Sequence, residues 1–201
     1  MVSRGYPASP EQVPVHLRGN RSAVTRWFGR TVLSVFGWHV QGRIPNVKRL
    51  LIIVAPHTSN WDFVFAMAAI LGLNLRVRWM GKHTIFKFGV TWFMRWLGGI
   101  PTDRGKPEQL VRYVADLSDR EDGIAIGMAP EGTRSKVTRW KTGFLRIAKL
   151  IDCPILLVGL DFKGKRFVID NIYLPYGDNE QDIAALTKYY SRYHAKHPEK
   201  Y

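Results

Sequence analysis

One cysteine, Cys153, rules out an internal disulfide, and its position between Asp152 and Pro154 at the head of an apolar run predicts a buried, inert thiol compatible with a cytosolic compartment. The six histidines, His16, His39, His57, His83, His194 and His197, have no cysteine partner and no HExxH spacing, so no metal site is expected. No GxSxG stretch exists to carry a serine nucleophile on a strand-to-helix elbow. No apolar run approaches the roughly twenty residues of a spanning helix. The opening stretch, MVSRGYPASPEQVPVHLRGNR, is polar and proline-broken where a secretory leader requires an apolar segment. Repeats and low-complexity segments are missing too. At 201 residues, without a visible linker, the chain supports one hydrophobic core.

Acid is scarce: 16 Asp and Glu stand against 30 Lys and Arg, a formal charge of +14. Residues 1–60 hold eight basic residues and a single Glu, and they include TRWFGRTVLSVFGWHV, where Trp27, Phe28, Phe36 and Trp38 are interleaved with Arg26 and Arg30. Basic residues near an anionic bilayer contribute about 1 kcal/mol each, so an anionic membrane surface is the expected partner. Nucleic acid is the competing polyanion, but no recognised nucleic-acid-binding motif accompanies the charge, and none is expected to bind. IFKFGVTWFMRWLGGI, from Ile85 to Ile100, has the same aromatic and basic character and reads as a second surface-lying helix. Residues 1–45 are thus expected to form a basic, aromatic, membrane-facing segment ahead of a domain over 46–201.

Leu50–Ala55 is a short continuous apolar run, as in a central strand covered on both faces. A helix is expected over Phe63–Leu71, a strand over Leu75–Met80, and a helix over 85–97 with a short extension at Ile100. Pro107 opens another helix through EQLVRYVADL, with SDREDG as the turn out of it. Strands follow at Ile124–Met128 and from Pro154, with a helix at Gly143–Leu150 between them. KRFVIDNIYL is expected to supply one or two edge strands, and EQDIAALTKYYSRYHAKH, from Glu180 to His197, an amphipathic helix. The alternation predicts an α/β fold with a mixed, mostly parallel central sheet covered by helices. Ligands gather at the carboxyl ends of strands in such sheets. Polar loops beginning at His57, Pro101 and Pro130 converge there, the first and third directly after core strands.

HTSNWD, His57–Asp62, admits two readings. Ser59 and Asp62 form a capping box for the next helix, with His57 merely packing at the strand end. Alternatively, His57 is a general base whose tautomer Asp62 fixes. Imidazole suits that work because its ordinary pKa lies near 6.5. With no protein nucleophile nearby, such a pair would activate a hydroxyl of the substrate. In GGIPTDR, Gly98 and Gly99 would let the backbone approach a ligand, and Arg104 offers a fork suited to phosphate. In APEGTRS, Glu131 could accept substrate hydroxyls or orient Arg104, while Thr133 or Arg134 could bind phosphate. Each loop also reads as an ordinary solvated turn.

Together these blocks resemble the glycerolipid acyltransferase family, whose best-known members are 1-acyl-sn-glycerol-3-phosphate acyltransferases. HTSNWD is similar to the family's His-x4-Asp, GGIPTDR to its glycine-to-arginine stretch through Gly99 and Arg104, and PEGTRS, the sharpest, to its third block. CPILLVG from Cys153 is similar to its fourth. Ala129 stands where many members carry an aromatic residue, which implies a roomier pocket, and Leu157 stands where a second proline is common.

The resemblance implies a glycerolipid acyltransferase-like fold and an acyltransferase without a tightly bound cofactor. His57 would deprotonate an acceptor hydroxyl that attacks the thioester of acyl-CoA or acyl-acyl carrier protein, with Asp62 holding the histidine and no acyl-enzyme formed. Gly99, Arg104, Glu131, Gly132, Thr133 and Arg134 are the positions it associates with the acceptor, a lyso-lipid, by default 1-acyl-sn-glycerol-3-phosphate. Another lysophospholipid or a glycolipid is the alternative acceptor, and a non-catalytic basic membrane-binding module the alternative class. Hydrolysis, with water as acceptor, ranks below both. The expected location is peripheral, on the cytoplasmic face of the cell membrane.

Overall fold

The apolar run at 50–55 forms β2 (Arg49–Ala55), the middle strand of a seven-stranded sheet. Its side chains alternate between two cores. Leu50 and Ile52 join the cluster under the first two helices, while Leu51, Ile53 and Ala55 join the opposite cluster with Phe144, Ile147 and Leu186. This is a computed structural model, and it describes residues 7–103, 107–121 and 123–201. The other strands are β1 (His39–Gln41), β3 (Val77–Lys82), β4 (Gly99–Thr102), β5 (Ile124–Met128), β6 (Ile155–Asp161) and β7 (Arg166–Tyr173). The helices are α1 (Ala23–Val35), α2 (Asn60–Gly72), α3 (Thr91–Trp96), α4 (Pro107–Arg120), α5 (Gly143–Leu150) and α6 (Asn179–Tyr190).

The strand order is β1-β7-β6-β2-β5-β3-β4. Every adjacent pair runs parallel except β6–β7, so the sheet is mixed and mostly parallel as expected. Helices α1 and α2 cross so closely that a Cβ on Gly29 would stand 2.6 Å from the Ala68 carbonyl oxygen, a contact that requires glycine.

Several elements depart from expectation. KRFVIDNIYL is one strand, β7, and it is interior: β1 covers its outer side. The signal missed was His39–Gln41, too short to read as a strand, which pairs with Arg166–Val168. The helix expected over 85–97 begins at Thr91, because Gly89, with φ of 88°, breaks the backbone after a 3-10 turn at His83–Ile85. The strand expected from Leu75 begins at Val77, α4 continues through Ser118–Arg120, and the helix expected through His197 ends at Tyr190, after which Tyr193 packs on Gly159 of β6. Gly99–Thr102 is a full strand parallel to β3, so the GGIPTDR loop also leaves the carboxyl end of a strand. Burial pushes the Cys153 thiol up to about 12, which leaves it protonated and inert near neutrality.

One side chain joins the helical layer to the middle of the sheet. The hydroxyl of Tyr190, fully buried at the end of α6, accepts the Val158 N–H at 3.1 Å and donates to the Ile53 carbonyl at 2.8 Å. It thereby bridges β6 and β2 four residues before His57.

Candidate active site

His57 leaves the carboxyl end of β2 after a cis Ala55–Pro56 peptide. Ser59 caps α2, accepting the Trp61 N–H at 3.2 Å, and Asp62 completes the capping box. On a regular helix, positions 57 and 62 would diverge; the loop-to-helix bend brings His57 Nδ1 to 3.0 Å from Asp62 Oδ2. The same Oδ2 accepts the N–H groups of Thr58 and Ser59, both at 2.7 Å. The capping and catalytic readings are therefore one arrangement: a single buried oxygen collects two backbone donors and the imidazole. Since a carboxylate oxygen accepts, Nδ1 carries the proton and Nε2 presents its lone pair. No described residue engages Nε2, and the ring keeps 26% of its surface exposed.

Glu131, expected to accept the acceptor's hydroxyls or to orient Arg104, lies against the backbone of His57. It is 3% exposed, and its Oε1 accepts the backbone N–H of His57 at 2.8 Å. The cause is topological: β5 pairs with β2, with Ile53 opposite Met128, so the loop after β5 rises beside the loop after β2. Burial pushes the Glu131 carboxyl up to about 7, against the opposing pull of its backbone hydrogen bonds, His57's among them. Its Oε2 is buried, and no donor among the described residues reaches it.

The remaining candidates separate. Gly132 adopts a left-handed φ of 67° and closes a turn to the Ala129 carbonyl, which shapes the loop. Thr133 Oγ1 accepts the Ser135 N–H at 3.3 Å, and the Arg134 side chain is exposed. Gly99 is buried, and a Cβ there would stand 2.7 Å from the Trp79 ring and 2.8 Å from the Met94 carbonyl oxygen. Packing against Trp79 thus demands this glycine, where a ligand's close approach was expected to. Arg104 lies outside the described residues.

Four N–H groups around the start of α2 are already engaged: that of His57 by Glu131, those of Thr58 and Ser59 by Asp62, and that of Trp61 by Ser59. A helix N-terminus usually offers such donors to an anion. Here the protein's own side chains consume them, which removes these donors as candidates for stabilising an oxyanion.

An apolar cavity of about 160 Å³ opens beside the pair and runs between α2 and the sheet. His57 and Asp62 lie along it with Phe63, Met67, Trp79 and Ala129. Ala129, the residue where an aromatic side chain is common in the resembled family, thus borders the cavity next to the histidine. Among the described residues, no helix is long and apolar enough to cross a membrane. Exposed aromatics include Trp27 and Phe28 on α1 and Phe88, Trp92 and Trp96 around α3, with Tyr113 and Tyr176 elsewhere.

Comparison with known proteins places the chain in a family. A family model described as Acyltransferase matches residues 38–160. A 1-acyl-sn-glycerol-3-phosphate acyltransferase of Haemophilus influenzae is 30% identical over 148 residues, covering 69% of this chain and 60% of the relative. The protein of the same name from Streptococcus pneumoniae is 30% identical over 152 residues, covering 71% of this chain and 55% of its own length. The chain thus spans little more than half the length of these two curated relatives. The crystal structure of the 1-acyl-sn-glycerophosphate (LPA) acyltransferase PlsC from Thermotoga maritima superposes with a TM-score of 0.59 at 20% identity, covering 84% of this chain and 76% of that one. That likeness establishes the fold.

Proposed function

The chain belongs to the Acyltransferase family, and from that premise we propose that it moves a fatty acyl group from an acyl thioester to the hydroxyl of a lysophospholipid, with 1-acyl-sn-glycerol-3-phosphate the first acceptor. One observation carries the reading: His57, its Nδ1 held by Asp62, stands with an unengaged Nε2 at the side of an apolar cavity. In the reaction, Nε2 takes the acceptor's hydroxyl proton while that oxygen attacks the thioester carbonyl. The tetrahedral intermediate collapses with cleavage of the C–S bond, and the departing thiolate takes the proton back from the imidazolium. Base catalysis of this kind contributes about 10²- to 10⁴-fold. The buried Asp62 carboxylate stabilises the imidazolium, and Glu131 fixes the backbone from which the ring projects.

The acyl chain occupies the cavity between α2 and the sheet, where Met67 and Trp79 contact it. The acceptor's phosphate pairs with the exposed guanidinium of Arg134 and, as the family resemblance implies, with Arg104. The donor is acyl-CoA or acyl-acyl carrier protein, with no tightly bound cofactor, and the site works at an anionic membrane surface that the aromatics of α1 and α3 face. That location is supported by the +14 charge and by the company those aromatics keep with basic residues. A mass-spectrometric screen pairing both donors with lysophosphatidic acid, other lysophospholipids and glycolipids tests the assignment. Diacyl product from lysophosphatidic acid is expected. Free fatty acid alone would make the chain a hydrolase, and vesicle binding without thioester consumption would make it a binding module.

A further inference from the structure

Beyond α6 the chain turns back over the catalytic loop, in contacts that the chemistry above does not use. Tyr193 lies against Gly159 in β6, so close that a Cβ on that glycine would stand 2.1 Å from the ring. The carbonyl of His194 accepts the Phe162 N–H at 2.8 Å, which ties the segment to the end of β6. Lys196 Nζ then stands 5.0 Å from the ring centroid of Trp61, inside HTSNWD. The N–H of His197 donates to Thr58 Oγ1 at 3.2 Å. Thr58 is 2% exposed and sits between the catalytic histidine and the capping serine. Finally, Tyr201 packs into the cluster that holds Trp140 and Tyr190, and its hydroxyl is buried, like Glu131 Oε2.

We propose that residues 193–201 form a positioning strap, anchored by Tyr193 and Tyr201, which holds the 57–62 loop through Thr58 and Trp61. Asp62 and Glu131 restrain the loop through its backbone N–H groups; the strap restrains it through side chains. Both sets of restraints meet at Thr58, whose N–H goes to Asp62 while its hydroxyl goes to the strap. The strap residues are positioning residues, because none of them touches a reacting atom.

The kinetic part of this inference rests on the acyl-transfer reading, so the test has two arms in the full chain. In the first, Thr58→Val keeps the side-chain shape and removes the acceptor for His197. It should lower kcat by about 10- to 100-fold, as a slightly misplaced base does, while leaving the KM of both substrates within about twofold. Thr58→Ser, which keeps the oxygen, should recover most of the loss. In the second, native-state amide hydrogen exchange follows residues 57–62, with no substrate required. Exchange there should rise by about 10-fold in Thr58→Val and stay near the wild-type rate in Thr58→Ser. Unchanged exchange or unchanged kcat in Thr58→Val, or an equal change in Thr58→Ser, overturns the strap. A wild-type chain that transfers no acyl group refutes the proposed function, and the exchange arm still decides whether the strap holds the loop.

Discussion

Glu131 Oε1 accepts the backbone N–H of His57 at 2.8 Å, across 74 residues of sequence, so the third sequence block supports the first from below. An amide in place of the carboxyl keeps that acceptor, whereas alanine removes it. Glu131→Gln should therefore retain most of the turnover, and Glu131→Ala should lose about 10²-fold in kcat, a typical cost of misplacing a catalytic group. Steady-state kinetics on the two variants checks this.

The same carboxyl gives stability a defined pH dependence. Burial raises it from 4.5 to about 7, so between those values the unfolded chain releases the proton while the folded chain keeps it. Its contribution is therefore fully present below about pH 4.5 and is lost as pH rises through about 7, on the order of 3 kcal/mol in all. Urea unfolding across pH 4 to 8 should show wild type losing stability relative to Glu131→Gln by about that much. Parallel curves would refute the assignment.

His57 and Asp62 should respond differently to substitution. The imidazole is partly exposed and bonds to Asp62 alone, so His57→Ala should abolish transfer while costing about 1 kcal/mol or less in stability. Asp62 Oδ2 serves three donors in a buried place, so Asp62→Ala should abolish transfer and cost about 3 kcal/mol or more. Thermal unfolding beside the transfer assay separates the two.

Gly99→Ala discriminates packing from ligand approach. Its methyl group would collide with the Trp79 ring and the Met94 carbonyl, an overpacking that costs about 1–3 kcal/mol. The acceptor's KM should stay within about twofold in the folded fraction, because the methyl points into the protein. A large rise in KM with unchanged stability would restore the ligand-binding role.

At the membrane surface, charge and aromatic insertion are separable. Anionic vesicles should bind the chain, and about 1 M salt should weaken the attachment by shrinking the Debye length to about 3 Å. Replacing both Trp92 and Trp96, which are 70% and 50% exposed, by alanine should weaken the part that survives high salt. Salt-resistant binding by that double variant would place the contact elsewhere.

Local patterns were legible in the sequence wherever local physics decides. The apolar run at 50–55 and the serine-to-aspartate spacing of HTSNWD specify a buried strand and a capped helix almost by themselves. What depends on which strands become neighbours was hidden. Glu131 looked like a surface acceptor, because only the pairing of β5 with β2 turns it inward beneath His57. β7 looked like an edge, because its outer partner is three residues long. Gly99 carried the right residue type for a close approach, but the approaching group is the Trp79 ring.

The Tyr190 hydroxyl between Ile53 and Val158 has a consequence for local opening. It bonds the Ile53 carbonyl across 137 residues of sequence, and that strand leads directly into the catalytic loop. The bond fastens α6 to the strand end beneath the histidine, where β2 and β6 already pair through Ile53 and Leu157. In Tyr190→Phe, which removes that link at a cost of about 1 kcal/mol, amide exchange in the histidine loop should rise in the native state while the lower strands remain closed.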